Sequence, residues 1–265
     1  MEKNAQKIWG VVGCGWLGLS LAENLTQLGF EVHGSTRSEE KADEISISGL
    51  QMHVYNASDR NSEAEWLSDI DLLVINIPPS SMDEYTEDLL SIVRKINDKC
   101  NVIFVSSTSV YPNTNSTVNE STVTSGTNRN GPIVSEAERA LLQYLSNRLT
   151  ILRMSGLVGG ERNPVTYMSG KEISGGKDPV NLVHRDDCIG VILRVSEKES
   201  WGEIYNVCCS DHPTKREYYE HAAEKHQVPA PMFEENSTKF KIIDNEHLKR
   251  SLDYEYKYDS PFEFP

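Results

Sequence analysis

The feature that most constrains this chain is the glycine-rich stretch at residues 10–18, with the sequence GVVGCGWLG. It contains the pattern G-x-G-x-x-G at Gly13, Gly15 and Gly18, directly after a short apolar run. An apolar stripe with helical spacing follows, at Leu17, Leu21, Leu25 and Leu28. A strand, a glycine turn and a helix in this order predict the unit that binds the pyrophosphate of a dinucleotide.

Two other interpretations suit a glycine-rich apolar stretch: a turn without function, and a secretory signal preceded by Lys3 and Lys7. A signal segment rarely carries this many glycines, and here the pattern continues as strand, helix and strand rather than as a cleavage site. We therefore predict a dinucleotide site, with the pyrophosphate at the N-terminus of the helix. The residues expected to contact the cofactor there are Gly13, Cys14, Gly15, Trp16, Leu17 and Gly18.

The second predicted strand, residues 31–36, indicates which dinucleotide is bound, because it runs into Ser35, Thr36 and Arg37. An acidic residue at this point usually accepts from the 2′-hydroxyl of NAD, whereas an arginine suits the 2′-phosphate of NADP. Arg37 favours NADP over NAD, and the alternative is a solvated arginine ahead of the next helix. Further cofactor contacts are expected after the third and fourth strands, at Asn56, Asn76, Ile77 and Pro78.

Apolar runs of strand type alternate with helical patterns over the first 154 residues, which predicts an α/β fold with a Rossmann-like, doubly wound parallel sheet. The Asn-, Ser- and Thr-rich residues 113–130 read as a long loop. The pairs Ser81–Glu84 and Thr214–Glu217 are expected to form helix capping boxes. We assign residues 1–157, with a contribution from 182–208, to the cofactor domain. Residues 158–181 and 209–265 form a small C-terminal substrate lobe.

The composition restricts the kinds of partner, since the chain has 26 basic and 40 acidic residues and a formal charge of −14. This balance argues against nucleic acid and anionic membranes, and no apolar run is long enough to span a membrane. The five cysteines are scattered, which suits reduced thiols in a cytoplasm. Adjacent Cys208 and Cys209 are expected to point to opposite faces of a strand end. The histidines and cysteines lack metal-binding spacing, so no metal is expected.

Several motifs together carry a resemblance to a known family: VVGCGWLG, VIFVSSTSVYP, ILRMSGLVGGERNP, VNLVHRDDCIG, IYNVC with HPTKREYY, and KFKIID. The chain resembles the extended short-chain dehydrogenase/reductase superfamily of nucleoside-diphosphate-sugar epimerases and dehydratases, and within it the atypical YeeZ-type proteins. The resemblance covers nearly the whole chain. It implies a Rossmann-like cofactor domain, a small substrate lobe and a sugar nucleotide as the typical substrate.

Active members of this superfamily use a Ser or Thr, a Tyr and a Lys, in which the Lys tunes the Tyr for proton transfer. By this resemblance Ser107 stands at the serine, where it either orients a substrate hydroxyl or caps the strand end. The Tyr-x-x-x-Lys pair is missing. One register places Asn130 and Val134 there, and another places Pro132 and Glu136.

Tyr111 follows Ser107 by four residues and is the candidate substitute acid, or else a packed tyrosine with a hydrogen-bonded hydroxyl. Arg153 is interpreted as a buried structural arginine. By resemblance Asp187 is mainly a helix cap at a strand-to-helix junction beside His184. The substrate contacts expected in the lobe, or alternatively solvated surface charges, are Arg162, Asn163, Lys171 and Arg185.

Two functions remain open from the sequence. The first is an NAD(P)-dependent oxidoreductase or sugar-nucleotide epimerase-like enzyme that lacks the usual Tyr-x-x-x-Lys. The second is a non-catalytic protein that binds NAD(P) and senses its redox state. Many relatives dimerise through the helices after strands four and five, so a homodimer formed by the helices near Ser81 and Pro132 is also expected.

Overall fold

The computed structural model describes residues 7–45, 47–59, 62–82, 84–125, 130–234, 236 and 239–265. Its strands are β1 (Ile8–Val12), β2 (Glu31–Thr36), β3 (Leu50–Val54), β4 (Leu72–Ile75), β5 (Asn101–Ser107), β6 (Thr117–Val118), β7 (Leu149–Met154), β8 (Gly156–Val158), β9 (Glu172–Ile173), β10 (Leu182–His184), β11 (Ile204–Val207), β12 (Met232–Phe233) and β13 (Ile242–Ile243). Its α-helices are α1 (Trp16–Gln27), α2 (Glu39–Glu44), α3 (Tyr85–Val93), α4 (Gly131–Leu145), α5 (Pro164–Met168), α6 (Arg185–Lys198), α7 (Lys215–Lys225) and α8 (Glu246–Leu252).

Seven strands form one parallel sheet in the order β11-β7-β5-β4-β1-β2-β3. Strand β1 lies inside the sheet, where Trp9 is beside Val32 of β2 on one side and Leu72 of β4 on the other. All four residues of β4 are buried, as expected for a parallel strand that is covered on both faces. The strand order reverses between β1 and β4, and ligands bind outside the carboxyl ends of the strands at such a point. The predicted α/β, Rossmann-like fold is confirmed.

One predicted helix start is wrong. Ser81 and Glu84 do not form a capping box, because Pro79–Ser81 forms a short 3₁₀ turn and α3 begins only at Tyr85. Glu84 occupies the N-cap position without a capping hydrogen bond from its side chain. The second predicted capping box, between Thr214 and Glu217 at the start of α7, is present in both directions.

The segment expected to be a plain loop, residues 113–130, also departs from prediction. Its residues 126–129 lie outside the described part of the chain. In the described part, β6 pairs in parallel with β13, with Thr117 beside Ile242. Asn115 extends this pairing, since its backbone N–H donates to Phe240 O at 2.9 Å and its Oδ1 accepts from Phe240 N at 3.0 Å. A distant strand therefore supplies the partner that local sequence cannot reveal.

The expectation for the adjacent cysteines is wrong as well. The thiols of Cys208 and Cys209 both donate to Leu182 O, at 3.5 Å and 2.9 Å. They therefore lie on the same side, because β11 ends at Val207 and the strict alternation of an extended strand stops there.

The chain divides into two units, which are described separately. The first comprises Met1–Ser106, Ile133–Leu152 and Ser200–Ile204, and the second comprises Ser107–Pro132, Arg153–Glu199 and Tyr205–Pro265. These boundaries lie at other positions than the predicted ones, because the segment after β5 and the residues from Arg153 onward belong to the second unit.

The second unit has a core of its own beside three short pairs of strands, β8 with β10, β9 with β12 and β6 with β13. The buried residues that form this core are Val158, Val165, Val180, Cys209, Tyr218, Ala222, Ala223 and Phe264. Helices α5 and α7 contribute several of these side chains.

Candidate functional site

The glycine turn between β1 and α1 is closely packed at two of its three glycines. Gly13 has φ +101°, and a Cβ there would lie 2.5 Å from Asn76 O. At Gly18 a Cβ would lie 2.2 Å from Gly13 O, so α1 packs directly on the turn. At these two positions a side chain would force the backbone to move.

Gly15 differs, because nothing lies within 4 Å of the position that its Cβ would occupy. It is the N-cap of α1 and has no side chain to cap the helix. The first N–H groups of a helix have no acceptor within the helix, and they point at a site suited to an anion. The open space at Gly15 therefore fits a pyrophosphate that approaches the backbone closely.

Neighbouring strands hold the turn in place. Cys14 N donates to Ser35 O at 2.8 Å, and Gly13 N is 3.4 Å from Ser35 Oγ. On the other side Asn76 N donates to Val12 O at 2.9 Å. The ends of β1, β2 and β4 are thereby joined around the glycine turn at the carboxyl edge of the sheet.

These strand ends enclose a cleft of about 600 Å³, part of which is open to solvent. It is lined by Gly13, Cys14, Gly15, Ser35, Thr36, Arg37, Lys41, Tyr55, Asn76, Ile77, Pro78 and Ser81. Two of these residues are cationic, Arg37 and Lys41, and none of these lining residues is Asp or Glu. Burial raises the pKa of the Cys14 thiol to about 11, so this lining residue adds no negative charge at neutral pH.

The two cations lie where β2 passes into α2. Arg37 Nη1 donates to Ser81 O at 2.9 Å, which holds the guanidinium against the opposite wall of the cleft. Ser38 caps α2 by accepting from Lys41 N at 3.2 Å, which brings Lys41 to the first turn beside the end of β2. The cleft therefore has a positively charged end.

Most of the residues predicted to contact the cofactor line this cleft, and four do not. Leu17 and Gly18 are buried in the packing of α1, and Trp16 is half-buried beside them. Asn56 is exposed, and its Oδ1 accepts from Ser58 N at 3.3 Å. The place expected for Asn56 at the end of β3 is instead taken by Tyr55, whose N donates to Thr36 O at 2.8 Å.

Three lining residues were missed by the sequence analysis: Lys41, Tyr55 and Ser81. A signal existed for Lys41, because it follows Arg37 by four residues at the start of a helix. No comparable signal existed for Ser81, since its place depends on the 3₁₀ turn at Pro79–Ser81.

In the second unit, Tyr111 is fully buried and its hydroxyl is occupied. The hydroxyl donates to Asn206 Oδ1 at 2.7 Å and accepts from Arg153 Nη1 at 2.7 Å. The guanidinium carbon of Arg153 also lies 4.9 Å from the centre of the ring. Burial raises the pKa of Tyr111 to about 12. This geometry contradicts the interpretation of Tyr111 as a substitute acid, since a fully buried, doubly bonded hydroxyl does not reach a substrate.

Ser107 is half-buried at the end of β5, and its Oγ accepts from Ser109 N at 3.1 Å to cap a short 3₁₀ helix. Asn130 is exposed in the turn before α4, and Val134 is buried within that helix. In the other register, Pro132 and Glu136 are both exposed. Neither register supplies a phenol beside an ammonium group.

A buried carboxylate that the sequence analysis missed lies one helical turn beyond Val134. Glu138 is 3% exposed and accepts from Ser106 Oγ at 2.5 Å. Burial, followed by the charge of Glu138, raises the pKa of Tyr85, whose hydroxyl donates to Ile77 O at 3.0 Å in the wall of the cleft. The side of α4 on which Val134 lies thus also carries an acid bound to a strand hydroxyl.

Three of the four predicted substrate residues of the second unit, Arg162, Asn163 and Arg185, lie around the turn that follows β8. Arg162 and Lys171 are exposed, and Arg185 is half-buried at the start of α6. Asn163 caps α5 by accepting from Val165 N at 3.1 Å. Arg162 and Arg185 flank the same glycine turn, since Gly159 pairs with Arg162 and a Cβ on Gly160 would lie 3.2 Å from Arg185 Nη1.

The prediction that Asp187 is the cap of its helix is wrong. His184 caps α6, and its Nδ1 accepts from Asp186 N at 3.2 Å. Asp187 lies inside the first turn and is fully buried, where it accepts from Lys257 N at 2.7 Å and Tyr258 N at 3.1 Å. Its carboxylate therefore holds the C-terminal segment to α6.

In the described ranges, no group of three or more His, Cys, Asp and Glu side chains is arranged to hold a metal ion. Nor does any helix of the described residues have the length and apolar character that a membrane crossing requires.

Comparison with known proteins shows the family to which this chain belongs. Residues 8–140, half of the chain, match the family described as the NAD binding domain of 6-phosphogluconate dehydrogenase. Protein YeeZ of Escherichia coli strain K12 is 32% identical over 267 residues, which cover 96% of this chain and 97% of the relative.

Solved structures show the same fold. A functionally unknown conserved protein from Silicibacter pomeroyi has a TM-score of 0.81 at 21% identity, covering 97% of this chain and 96% of that one. The UDP-glucuronic acid 4-epimerase from Bacillus cereus in complex with NAD has a TM-score of 0.78 at 19% identity, covering 97% and 95%. The chain therefore belongs to the same family as Protein YeeZ, with an NAD-binding domain within residues 8–140 and a Rossmann-like parallel sheet.

Proposed function

We propose that this protein binds NADP(H) in preference to NAD(H). The observation that carries the proposal is the charge of the cleft: Arg37 and Lys41 line it at the end of β2, and among the described residues that line it none is Asp or Glu. NAD-binding sites usually place an acidic residue here for the 2′-hydroxyl, which would repel a 2′-phosphate. The cleft offers the phosphate two cations and the neighbouring hydroxyl residues Ser35 and Thr36.

A charge-assisted hydrogen bond contributes about 1.5–3 kcal/mol when it is shielded from water. Arg37 is exposed, so the lower end applies, and we expect its loss to weaken NADP binding about tenfold. NAD lacks the 2′-phosphate, so its affinity changes little.

The test is a calorimetric titration of the wild type, Arg37→Ala and Lys41→Ala with NADPH, NADP, NADH and NAD. The matched control is Arg94→Ala, an exposed arginine on α3 whose Nη1 lies 3.3 Å from Glu87 Oε2. We expect Arg37→Ala and Lys41→Ala to lose affinity for the phosphorylated forms alone, and Arg94→Ala to match the wild type. Equal affinity of the wild type for NAD and NADP would contradict the proposal.

For the chemistry we propose an oxidoreductase or epimerase-like reaction on a sugar nucleotide. Family membership supports this proposal, as do the half-buried Ser107 at the end of β5 and the fold shared with a UDP-glucuronic acid 4-epimerase. The bound nicotinamide supplies the hydride acceptor, and the chain must supply the proton acceptor. The test is incubation of the protein with NADP and a panel of UDP-sugars. Net reduction of NADP, followed by nicotinamide absorbance, reports an oxidoreductase. An epimerase returns the hydride to the sugar, so its product is detected as a change of sugar configuration by NMR.

A second candidate is a non-catalytic sensor of the cofactor's redox state, favoured by a specific observation. In the register that matches Asn130 and Val134 to the usual Tyr and Lys, these residues are an exposed amide and a buried aliphatic side chain, while the hydroxyl of Tyr111 is fully occupied. None of these groups transfers a proton near neutral pH. A large difference in affinity between NADPH and NADP, without turnover of any sugar nucleotide, would favour the sensor.

Two further expectations stay proposals. All five cysteines are free thiols, which suits a reducing cytoplasm. A homodimer through α3 and α4 is supported by exposed apolar side chains on α4: Ile133 is 43% exposed and Tyr144 is 47% exposed. These residues lie eleven positions apart and therefore on one side of the helix.

A further inference from the structure

Two histidines of the first unit form a hydrogen-bonded pair behind the cleft. His33 Nδ1 on β2 lies 2.9 Å from His53 Nε2 on β3. The ring centres are 5.1 Å apart and the ring planes differ by 6°, so the two imidazoles lie edge to edge in nearly one plane. Trp66 lies parallel to both rings, 4.6 Å from His53 and 6.1 Å from His33.

The surrounding acceptors decide where the protons of this pair lie. Glu31 Oε1 is 3.5 Å from His33 Nε2, and a carboxylate accepts hydrogen bonds only. We therefore assign the proton of His33 to Nε2, which leaves its Nδ1 to accept from His53 Nε2. In this arrangement the next proton can be added only at His53 Nδ1.

The environment both opposes and supports that protonation. Burial, and then the neighbouring His33, lower the pKa of His53. The face of the Trp66 indole stabilises an imidazolium, and Glu31, whose side chain is 51% exposed, supplies a negative charge at the other end of the pair. Gln51, which is neutral, lies 3.5 Å from the same carboxylate. A further charged group in this region is Lys95, whose Nζ lies 5.1 Å above the centre of the Tyr55 ring.

The pair is connected to the cleft through two of its lining residues. His53 lies directly beside Ser35 in the β2–β3 register, and Ser35 holds the glycine turn. Tyr55 follows His53 by two residues and packs edge-on against the same Trp66, with ring centres 6.2 Å apart. Two residues of a strand span about 7 Å. A charge on the pair thus lies within a Debye length of the cleft.

We propose that the His33–His53 pair is a proton-binding site that adjusts recognition of the 2′-phosphate, so that NADP binding takes up a proton from solvent. This inference rests on the proposed preference for NADP. A positive charge about 10 Å from a phosphate, across a partly solvated boundary, changes affinity about three- to fivefold. NAD lacks this phosphate and shares only the pyrophosphate at the glycine turn, so the state of the pair changes its affinity less than that of NADP.

The decisive variant is His53→Gln, because the glutamine amide still donates a hydrogen bond to His33 but does not titrate. The matched control is His226→Gln, which makes the same change at an exposed position at the end of α7. Calorimetry measures the affinity of each protein for NADP and NAD at about pH 5.5 and about pH 8, on either side of the ordinary histidine pKa. The 2′-phosphate itself titrates near pH 6, and comparison between variants removes that contribution.

We expect acidification to favour NADP about threefold more in the wild type and His226→Gln than in His53→Gln, with a smaller difference for NAD. If His53→Gln follows the wild type while Arg37→Ala still weakens NADP, the inference fails and the proposed function stands. If the wild type does not prefer NADP, both fail.

A second measurement keeps the inference testable should His53→Gln fold poorly. Imidazole resonances of the wild-type protein are titrated by NMR, alone and with each dinucleotide. We expect NADP to raise the proton affinity of the pair about threefold more than NAD does. An unchanged titration in saturating NADP would overturn the inference.

Discussion

The glycine turn allows cofactor binding and folding to be perturbed separately at two residues of one motif. In Gly15→Ala the new methyl group enters space with no atom within 4 Å, and the backbone has φ −87°, which alanine adopts readily. In Gly18→Ala the methyl group lies 2.2 Å from Gly13 O, about 1 Å closer than van der Waals contact permits. The two variants make the same chemical change in opposite surroundings.

The expected magnitudes follow from these distances. For Gly15→Ala, the loss of glycine at an N-cap costs about 0.5–1 kcal/mol, and the lower entropy of the unfolded chain returns about as much. Its free energy of unfolding should change by less than about 1 kcal/mol. For Gly18→Ala, α1 must move away from the turn, and overpacking of this kind costs about 1–3 kcal/mol or more.

Binding should respond differently. The methyl group of Gly15→Ala occupies the space that a pyrophosphate needs near the N-terminus of α1, so we expect NADP and NAD affinity to fall together by about tenfold or more. Arg37→Ala, in contrast, should affect NADP alone.

Urea unfolding gives the stability of each variant, and calorimetry gives its affinity for NADP and NAD. Unchanged dinucleotide affinity in Gly15→Ala would refute the placement of the pyrophosphate at this turn. Wild-type stability in Gly18→Ala would refute the argument that α1 packs on the turn without room for a methyl group.

Two further predictions concern the second unit. Tyr111→Phe should lower the free energy of unfolding by about 1–3 kcal/mol, because Asn206 and Arg153 each lose a buried partner. Its affinity for NADP should not change. If the variant instead kept wild-type stability and lost a measurable activity, Tyr111 would again be the candidate acid. Burial lowers the pKa of His184 below its ordinary value near 6.5, so the unfolded chain binds more protons below that pH and the folded state loses stability as the pH falls. The asparagine of His184→Asn can still cap α6 but does not titrate. Urea unfolding at a series of pH values below 6.5 should show that the free energy of unfolding falls more steeply with falling pH in the wild type than in His184→Asn, by up to about 1.4 kcal/mol per pH unit. Equal slopes in the two proteins would exclude His184 as the cause.

Local patterns were sufficient for the cofactor half of the site. The order strand, G-x-G-x-x-G and helix places Gly13 and Gly15 at the carboxyl edge of the sheet whatever the rest of the chain does, since the βα unit is a local structure. The position of Arg37 in the cleft could be predicted for the same reason, because Arg37 follows β2 directly. Lys41 was missed only because its distance from the cleft depends on where α2 begins.

The contacts of Tyr111 and Asp187 could not be predicted from local patterns. Tyr111 looks like a candidate acid in the sequence, and only the positions of Asn206 and Arg153, 95 and 42 residues away, show that its hydroxyl is occupied. Asp187 reads as a helix cap until residues 257 and 258 are seen to donate to it. Such contacts join residues that are far apart in the chain, and no local periodicity encodes them.

The amino-acid sequence by itself determined the α/β class, the dinucleotide turn and the positive charge at the end of β2, because each depends on a few consecutive residues. The tertiary structure alone decided the pairing of β6 with β13, the occupied hydroxyl of Tyr111 and the imidazole pair of His33 and His53. The physical reason is range: backbone preferences and helix caps act over a few residues, whereas buried hydrogen bonds are formed with whichever distant group the packing of the whole chain brings within reach.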